Sequence, residues 1–345
     1  MVTNLYPPFS SDYQARLGDT TKSLISLFYK DPPLSFITET LDLTYDSIRQ
    51  LPRQHLNRHL QEISNKNIEI DYLKASATEV YYDEQEDVNF IKMYYEGLNF
   101  SKDLNDILLD LTELLSNTHS TQLSYSTSRK ALHSWVDLRE DGQINSIYSG
   151  RSLNPMSVME EDNQTEKMAI RQMRQALCLE TNLLSEHKEL LIQAILRSIQ
   201  YNIEHVIPQS WFKKKHPMVG DIHHLFTCEK DCNSFRSNIP YYDFEDYNPR
   251  VNKEVIKSDC GKRDGNEKFE PENGKGEIAR ASLYFLLRYP DAISKEKQAL
   301  LDIQLYKRWH SEHPVTLHEK HRNWSIYKLQ GNRNPFIDFP NFIFI

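Results

Sequence analysis

The chain has 345 residues, 39% hydrophobic and 26% charged, which is enough to bury a sizeable core; with 15 Pro and 10 Gly it is neither low-complexity nor fibrous. Its formal net charge of −8 excludes a generally basic surface, so any polyanion must be gripped locally, by a basic cleft or a bound metal. The longest apolar runs are a handful of residues, which excludes a membrane-spanning helix, and four cysteines are too few for a disulfide-built scaffold.

The first 95 residues hold 14 acidic against 9 basic side chains and carry most of the charge imbalance. In "SLISLFYK" and "LDLTYDSIRQL" the apolar residues stand three and four apart, which predicts helices. The acidic run "EVYYDEQEDVNF" (79–90) reads as a linker closing this region. Its charge is either a solvated surface or a means of recruiting a partner or covering a basic site. "LNDILLDLTELLSNTH" (104–119) is a strongly amphipathic helix. "QINSIYSGRS" (143–152) alternates apolar and polar residues up to a Gly turn, which predicts a strand. Residues 165–200 read as two helices divided near Thr181 and Asn182, and "EIARASLYFLLRYP" (277–290) as another helix stopped by Pro290. The tail, "QGNRNPFIDFP", is turn-rich with aromatic anchors; Gln330, Asn332 and Arg333 chiefly knit it to the core, with a direct substrate role as the rival. The N-terminus shows neither a basic start nor an apolar stretch, so as written the chain is expected in the cytoplasm or exported by a non-Sec route.

The chemistry concentrates in "NIEHVIPQSW" (202–211) and "DIHHLFTCEKDCNSFRSN" (221–238). The first reads as a strand carrying Glu204 and His205; the second as a strand, "IHHLF", followed by a helix carrying Asn233. This frame sets two polar groups face to face. A divalent ion between them needs hard oxygen ligands, a carboxylate from Glu204 and an amide oxygen from Asn233, completed by waters. His205, on the other side of its strand, takes a proton from water instead of binding the metal. That arrangement suits phosphodiester hydrolysis. Arg236, one helical turn after Asn233, is placed to hold a phosphate oxygen, or else braces the helix through a carboxylate such as Asp221. Lys213, Lys214 and Lys215 in "FKKKHP" supply local positive charge for phosphate contact, or are simply a solvated loop.

These segments, with "FEPENGKGEIARASLYFLLRY", "QGNRNPFIDFP" and, upstream, "LSYSTSRKALHSWVDLREDGQINSIYSG" (123–150), resemble the endonuclease I family of the ββα-metal (His-Me finger, HNH-like) superfamily. The resemblance covers roughly residues 98–345. It implies an α+β fold, with a ββα-metal finger nuclease core at about 202–238 inside a mainly helical domain (97–345) that carries a helical insertion at about 159–200. A mainly helical, acidic region (1–96) is additional. It also implies a largely sequence-non-specific endonuclease acting on DNA and often RNA. His205 is then the general base, Glu204 and Asn233 bind Mg²⁺ (Mn²⁺ or Ca²⁺ as substitutes), and His224 with Asp221 braces the loop that carries the base. No membrane partner is expected; a regulatory or delivery partner of the N-terminal region is. Familiar members are secreted with a signal peptide and several disulfides, features this chain does not show. Two other readings stand: a binding module on a degenerated nuclease frame, and a nuclease restrained by its N-terminal region.

The cysteines leave three arrangements open. Cys228 and Cys232, four apart, with Cys260 suit a structural Zn²⁺ completed by a fourth ligand. One disulfide with a free thiol, or buried unpaired thiols, are the rivals.

Overall fold

The structure is a computed structural model in which residues 81–178, 194–195, 200–248 and 259–341 are described. The helices expected in "SLISLFYK" and "LDLTYDSIRQL" and the break near Thr181 lie outside these residues. The chain divides into two compact units, Asn65–Glu161 with Asn202–Ile345, and Met1–Ser64 with Asp162–Tyr201. All candidate site residues belong to the first. The architecture is α+β: among the described residues, helices with three small antiparallel strand pairs. No described helix is long and apolar enough to cross a membrane.

Helix α1 (Glu84–Tyr94) is capped by the Asp83 carboxylate, which accepts from the Glu86 N–H. From Glu84 onwards the run expected as a linker is therefore helical, and it is docked. Asp87 pairs with Arg333 at 2.8 Å. Glu86 accepts from the Trp324 indole at 2.8 Å and pairs with Lys328 at 2.9 Å, while the Tyr81 ring stacks on His321. Glu86 and Asp87 are thus paired within the fold.

Helix α2 (Leu104–Thr118) follows Asp103, whose carboxylate accepts from the N–H groups of Asn105 and Asp106. It buries Ile107, Leu111 and Leu115, a stripe at four-residue spacing. After α3 (Tyr125–Ala131), residues 144–153 form a hairpin where a single strand was expected over 143–152. Its strands are β1 (Ile144–Asn145) and β2 (Ser152–Leu153). The turn passes through Gly150 at φ 67°, a backbone region that favours glycine and reverses the chain. Helix α4 (Pro155–Cys178) follows.

Strands β3 (Ile203–His205) and β4 (Leu225–Thr227) pair antiparallel, with Glu204 opposite Phe226 and His205 opposite Leu225. The expected strand "IHHLF" begins later than expected: Ile222–His224 is a 3-10 turn, capped by Asp221, and only then does the chain extend. Helix α5 (Lys230–Arg236) follows β4 directly. A third pair, β5 (Gly261–Asp264) and β6 (Lys268–Pro271), leads into α6 (Lys275–Arg288). Ten residues of α6 are buried, from Gly276 to Leu287, so it is the central helix of this unit.

The remaining helices, α7 (Lys295–Gln298), α8 (Ile303–Glu312), α9 (Leu317–Gln330) and α10 (Pro335–Asp338), wrap this core. Thr316 and Glu319 form a capping box at the start of α9, and Gly331 ends it at φ 89°. Buried arginines fasten these helices. Arg280 of α6 forks onto Glu319 at 2.6 and 2.9 Å. Arg322 of α9 pairs with Asp137 and donates to the Leu225 carbonyl at 2.8 Å. Arg333 forks onto Asp338, both bonds at 2.8 Å. Each guanidinium presents donors in a rigid plane, which suits two-point contact with a carboxylate.

Candidate active site

Glu204 and His205 face opposite ways because side chains alternate along a strand. Glu204 turns towards α5 and is 2% exposed. Its carboxylate accepts from Arg236 Nη1 at 2.6 Å. Burial pushes the Glu204 carboxyl up to about 7, with Arg236 and a hydrogen bond from Tyr148 acting against that rise. His205 turns the other way, among Tyr125, Phe212 and His224, with ring centroids 5.2, 6.3 and 5.4 Å away.

The His205 ring is held at both nitrogens. Nε2 donates to the Val219 carbonyl at 3.0 Å, and Nδ1 accepts from the Gln209 amide at 2.8 Å. Burial holds its pKa well below the usual histidine value, helped by His224, Lys214 and Arg236, against the Val219 carbonyl. With Nε2 donating and Nδ1 accepting, the ring is held in its neutral form. The turn that supplies Val219 is fixed in its own right. His224 Nε2 donates to the Met218 carbonyl at 2.6 Å, and Ser128 Oγ to the Gly220 carbonyl at 2.6 Å. At Gly220 a Cβ would run into the Leu123 carbonyl oxygen, so this approach needs glycine.

Asn233 lies on the face of α5 turned to β3. Its Nδ2 donates to the Ile203 carbonyl, one residue before Glu204. This turns Oδ1 away from that carbonyl, and among the described residues no donor is bonded to it. Arg236, three residues on, lies on the same face, 2% exposed. It donates to Glu204, to the His205 carbonyl at 3.2 Å and to the Val206 carbonyl at 2.8 Å. Its guanidinium also stacks 4.6 Å from the Tyr241 ring centre. Of its two expected roles, this geometry is that of the brace. Arg236 braces strand to helix, through Glu204 and not Asp221, because α5 packs directly on β3.

Asp221 is fully buried away from Arg236. Tyr284 and Tyr289 donate to its Oδ2 at 2.8 and 2.9 Å, and Gln330 to its Oδ1 at 3.0 Å. Burial works to raise its carboxyl, but His119, His223, His224 and the Gln330 amide together hold it below the usual range. Gln330 also accepts from the Ile222 N–H at 2.7 Å, which ties the C-terminal tail to the turn before β4. Lys213, Lys214 and Lys215 are exposed in the loop between β3 and β4. Lys213 and Lys214 adopt left-handed backbone, φ 57° and 54°, and the Lys214 N–H donates to the Gln209 carbonyl at 3.0 Å.

The zinc arrangement of the cysteines is not adopted. Cys232 of α5 and Cys260, just before β5, form a disulfide with Cα atoms 5.1 Å apart, and Cys228 is a buried free thiol. Two of the three sulfurs are thereby unavailable as thiolates. Among the described residues no three His, Cys, Asp or Glu side chains cluster as a metal site.

Three contributors escaped the sequence reading. Gln209 stands four residues after His205, inside the quoted motif. Tyr148 reaches Glu204 from the hairpin turn. The Val219 carbonyl is backbone and carries no residue-type signal.

An antiparallel pair bearing an adjacent carboxylate and imidazole, backed by a helix that presents an amide and a guanidinium, defines a compact polar centre within an α+β unit. The chain belongs to the endonuclease I family, whose model matches residues 108–341. It is 32% identical over 123 residues to an extracellular deoxyribonuclease of Aeromonas hydrophila, covering 35% of this chain and 50% of that protein. It is 33% identical over 123 residues to a periplasmic deoxyribonuclease of the same organism, covering 35% and 48%. It is 32% identical over 161 residues to an extracellular ribonuclease of Bacillus amyloliquefaciens, covering 41% and 51%. The chain thus spans about half the length of the curated relatives it matches.

Proposed function

We propose that this chain is a metal-dependent, largely sequence-non-specific endonuclease that hydrolyses phosphodiester bonds in DNA and also RNA. The observation that carries the reading is the neutral imidazole of His205. It is anchored through Nε2 to the Val219 carbonyl at 3.0 Å, on a strand whose next side chain back, Glu204, meets the helix carrying Asn233.

A buried imidazole with a depressed pKa keeps an unprotonated nitrogen at neutral pH. His205 can then take a proton from a water through Nδ1 while Nε2 keeps its hydrogen on the carbonyl. Glu204 and Asn233 would hold a divalent cation of the Mg²⁺ type. The residues fit such an ion. The donors are one carboxylate and one amide oxygen, both hard, and so few protein ligands leave positions for water and phosphate. The carboxylate is buried and raised to about 7 beside a single guanidinium, so further positive charge would favour its ionised form. A bound cation supplies charge neutralisation for the phosphorane and the leaving 3′-oxygen. Arg236 orients Glu204 and the strand end. Lys213, Lys214 and Lys215 grip the backbone of the substrate, which accounts for weak sequence preference, since phosphate contacts do not read bases.

The relatives' names, deoxyribonuclease and ribonuclease, support both substrates. Their extracellular and periplasmic placement, together with the Cys232–Cys260 disulfide, supports an oxidising compartment outside the cytoplasm. The test is a digestion panel of plasmid and RNA with Mg²⁺ and then EDTA, run on wild type and His205→Ala. Wild type is expected to cut with Mg²⁺ only, and His205→Ala to keep the fold and lose nearly all turnover. Digestion by His205→Ala at the wild-type rate would remove the base assignment.

A further inference from the structure

We propose that Gln209 is a positioning residue that sets the tautomer of His205; the proposal rests on His205 acting as the base. The two ring contacts agree on one arrangement. A backbone carbonyl only accepts, so the Val219 oxygen at 3.0 Å requires a hydrogen on Nε2. An amide N–H only donates, so the Gln209 nitrogen at 2.8 Å requires a lone pair on Nδ1. The imidazole is thereby fixed neutral, with its basic nitrogen at Nδ1. The reversed amide would face Nδ1 with Oε1 and demand a doubly protonated ring. That is unfavourable for an imidazole buried among the rings of Tyr125, Phe212 and His224.

The seat of Gln209 suits this task. It opens the 3-10 turn Gln209–Trp211 after Pro208, and its carbonyl accepts from the Lys214 N–H at 3.0 Å, so its backbone is fixed. Its Oε1 is buried and has no hydrogen-bond partner among the described residues. The amide is therefore held at its nitrogen end only. Rotating off Nδ1 breaks that single bond, and a water arriving at Nδ1 replaces it. In the resting site Gln209 caps the base, and it gives up the lone pair when the reacting water takes its place.

Gln209→Glu and Gln209→Met separate this from a space-filling role. Both keep the side chain's size. Glutamate presents an acceptor to Nδ1 and draws a proton onto it, whereas methionine presents no strong hydrogen-bonding group. Full-length wild type, both variants and His205→Ala are compared by steady-state cleavage of plasmid with Mg²⁺. The ¹⁵N shifts of the His205 ring report which nitrogen is protonated. Wild type is expected with the hydrogen on Nε2. Gln209→Met is expected to lower kcat by about tenfold at unchanged KM, and Gln209→Glu, with Nδ1 protonated, by on the order of a hundredfold, the range of general-base contributions. The proposal is overturned if Gln209→Glu turns over as fast as Gln209→Met, or if its ring stays protonated on Nε2 alone. A dead His205→Ala beside an active Gln209→Glu removes this proposal and leaves the base reading standing. An active His205→Ala removes both.

Discussion

Arg236 and Glu204 form a fully buried ion pair at 2.6 Å, and the same guanidinium holds the carbonyls of His205 and Val206. One side chain of α5 therefore fixes both the carboxylate and the end of the strand that carries the imidazole. Arg236→Ala leaves a buried carboxylate and two carbonyls without their donor. A loss of about 3–5 kcal/mol is expected in urea unfolding, together with loss of turnover. Arg236→Lys is expected to recover little of it, since an ammonium cannot reach three acceptors in one plane. Unchanged stability in Arg236→Ala would show that the pair does not hold the unit together.

The Val219 carbonyl depends on Gly220. Adding a methyl group there pushes the turn off Leu123, and Val219 with it. Gly220→Ala is expected to cost about 1–3 kcal/mol of stability, the usual penalty of overpacking. It should also reduce kcat more than KM, because the imidazole loses its anchor. Kinetics on the folded fraction, at a temperature well below unfolding, checks this.

Glu204→Ala and Asn233→Ala should each raise the Mg²⁺ concentration giving half-maximal cleavage. Titrating Mg²⁺ over each variant tests the two residues separately. A variant with the wild-type Mg²⁺ response is not missing a ligand.

Acid should destabilise this protein. Burial holds His223 and His318 at about 4 and about 3, and His224, His310 and His321 also lie below the usual value. Below about pH 6.5 the unfolded chain protonates these rings while the native state does not, so stability falls as pH drops through that window. Glu204 acts oppositely: raised to about 7, it favours the native state at lower pH and loses that contribution between about 4.5 and 7. Asp87, Glu270, Glu272 and Glu319, also raised by burial, act with Glu204. The lowered histidines, seven with His119 and His205, outnumber these five carboxyls, so the melting temperature is expected to fall between pH 7 and pH 4. His318→Asn should flatten the slope, which a series of thermal melts would show.

Docking of α1 is structural. Asp87→Ala is expected to destabilise by about 1–3 kcal/mol, because Arg333 and the Tyr82 hydroxyl each lose a partner. A chain cut at residue 97 uncovers Trp324, Tyr327 and Lys328 and should melt lower than the full chain. Equal melting temperatures would mean that α1 contributes nothing to stability.

The sequence by itself determined the local grammar. Glu204 and His205 fall on opposite faces because strand side chains alternate. Asn233 and Arg236 share a face because they are three apart on a helix, and Pro290 marks the stop of the helix before it. The ordered motifs were also enough to identify the family. Other outcomes depended on groups distant in sequence. The acidic run was a docked helix from Glu84 because Arg333, Trp324 and Lys328 waited for the carboxylates of Glu86 and Asp87. Among several possible cysteine arrangements, the approach of the chain before β5 to α5 selected Cys232 with Cys260. Arg236 took Glu204 as its carboxylate and not Asp221 because α5 packs against β3, and Val219 entered the site through a backbone atom. Periodicity and capping act within a few residues and can be read along the chain. Ion pairing, disulfide choice and a carbonyl's direction are fixed only when burial brings remote segments together and removes water as a competing partner.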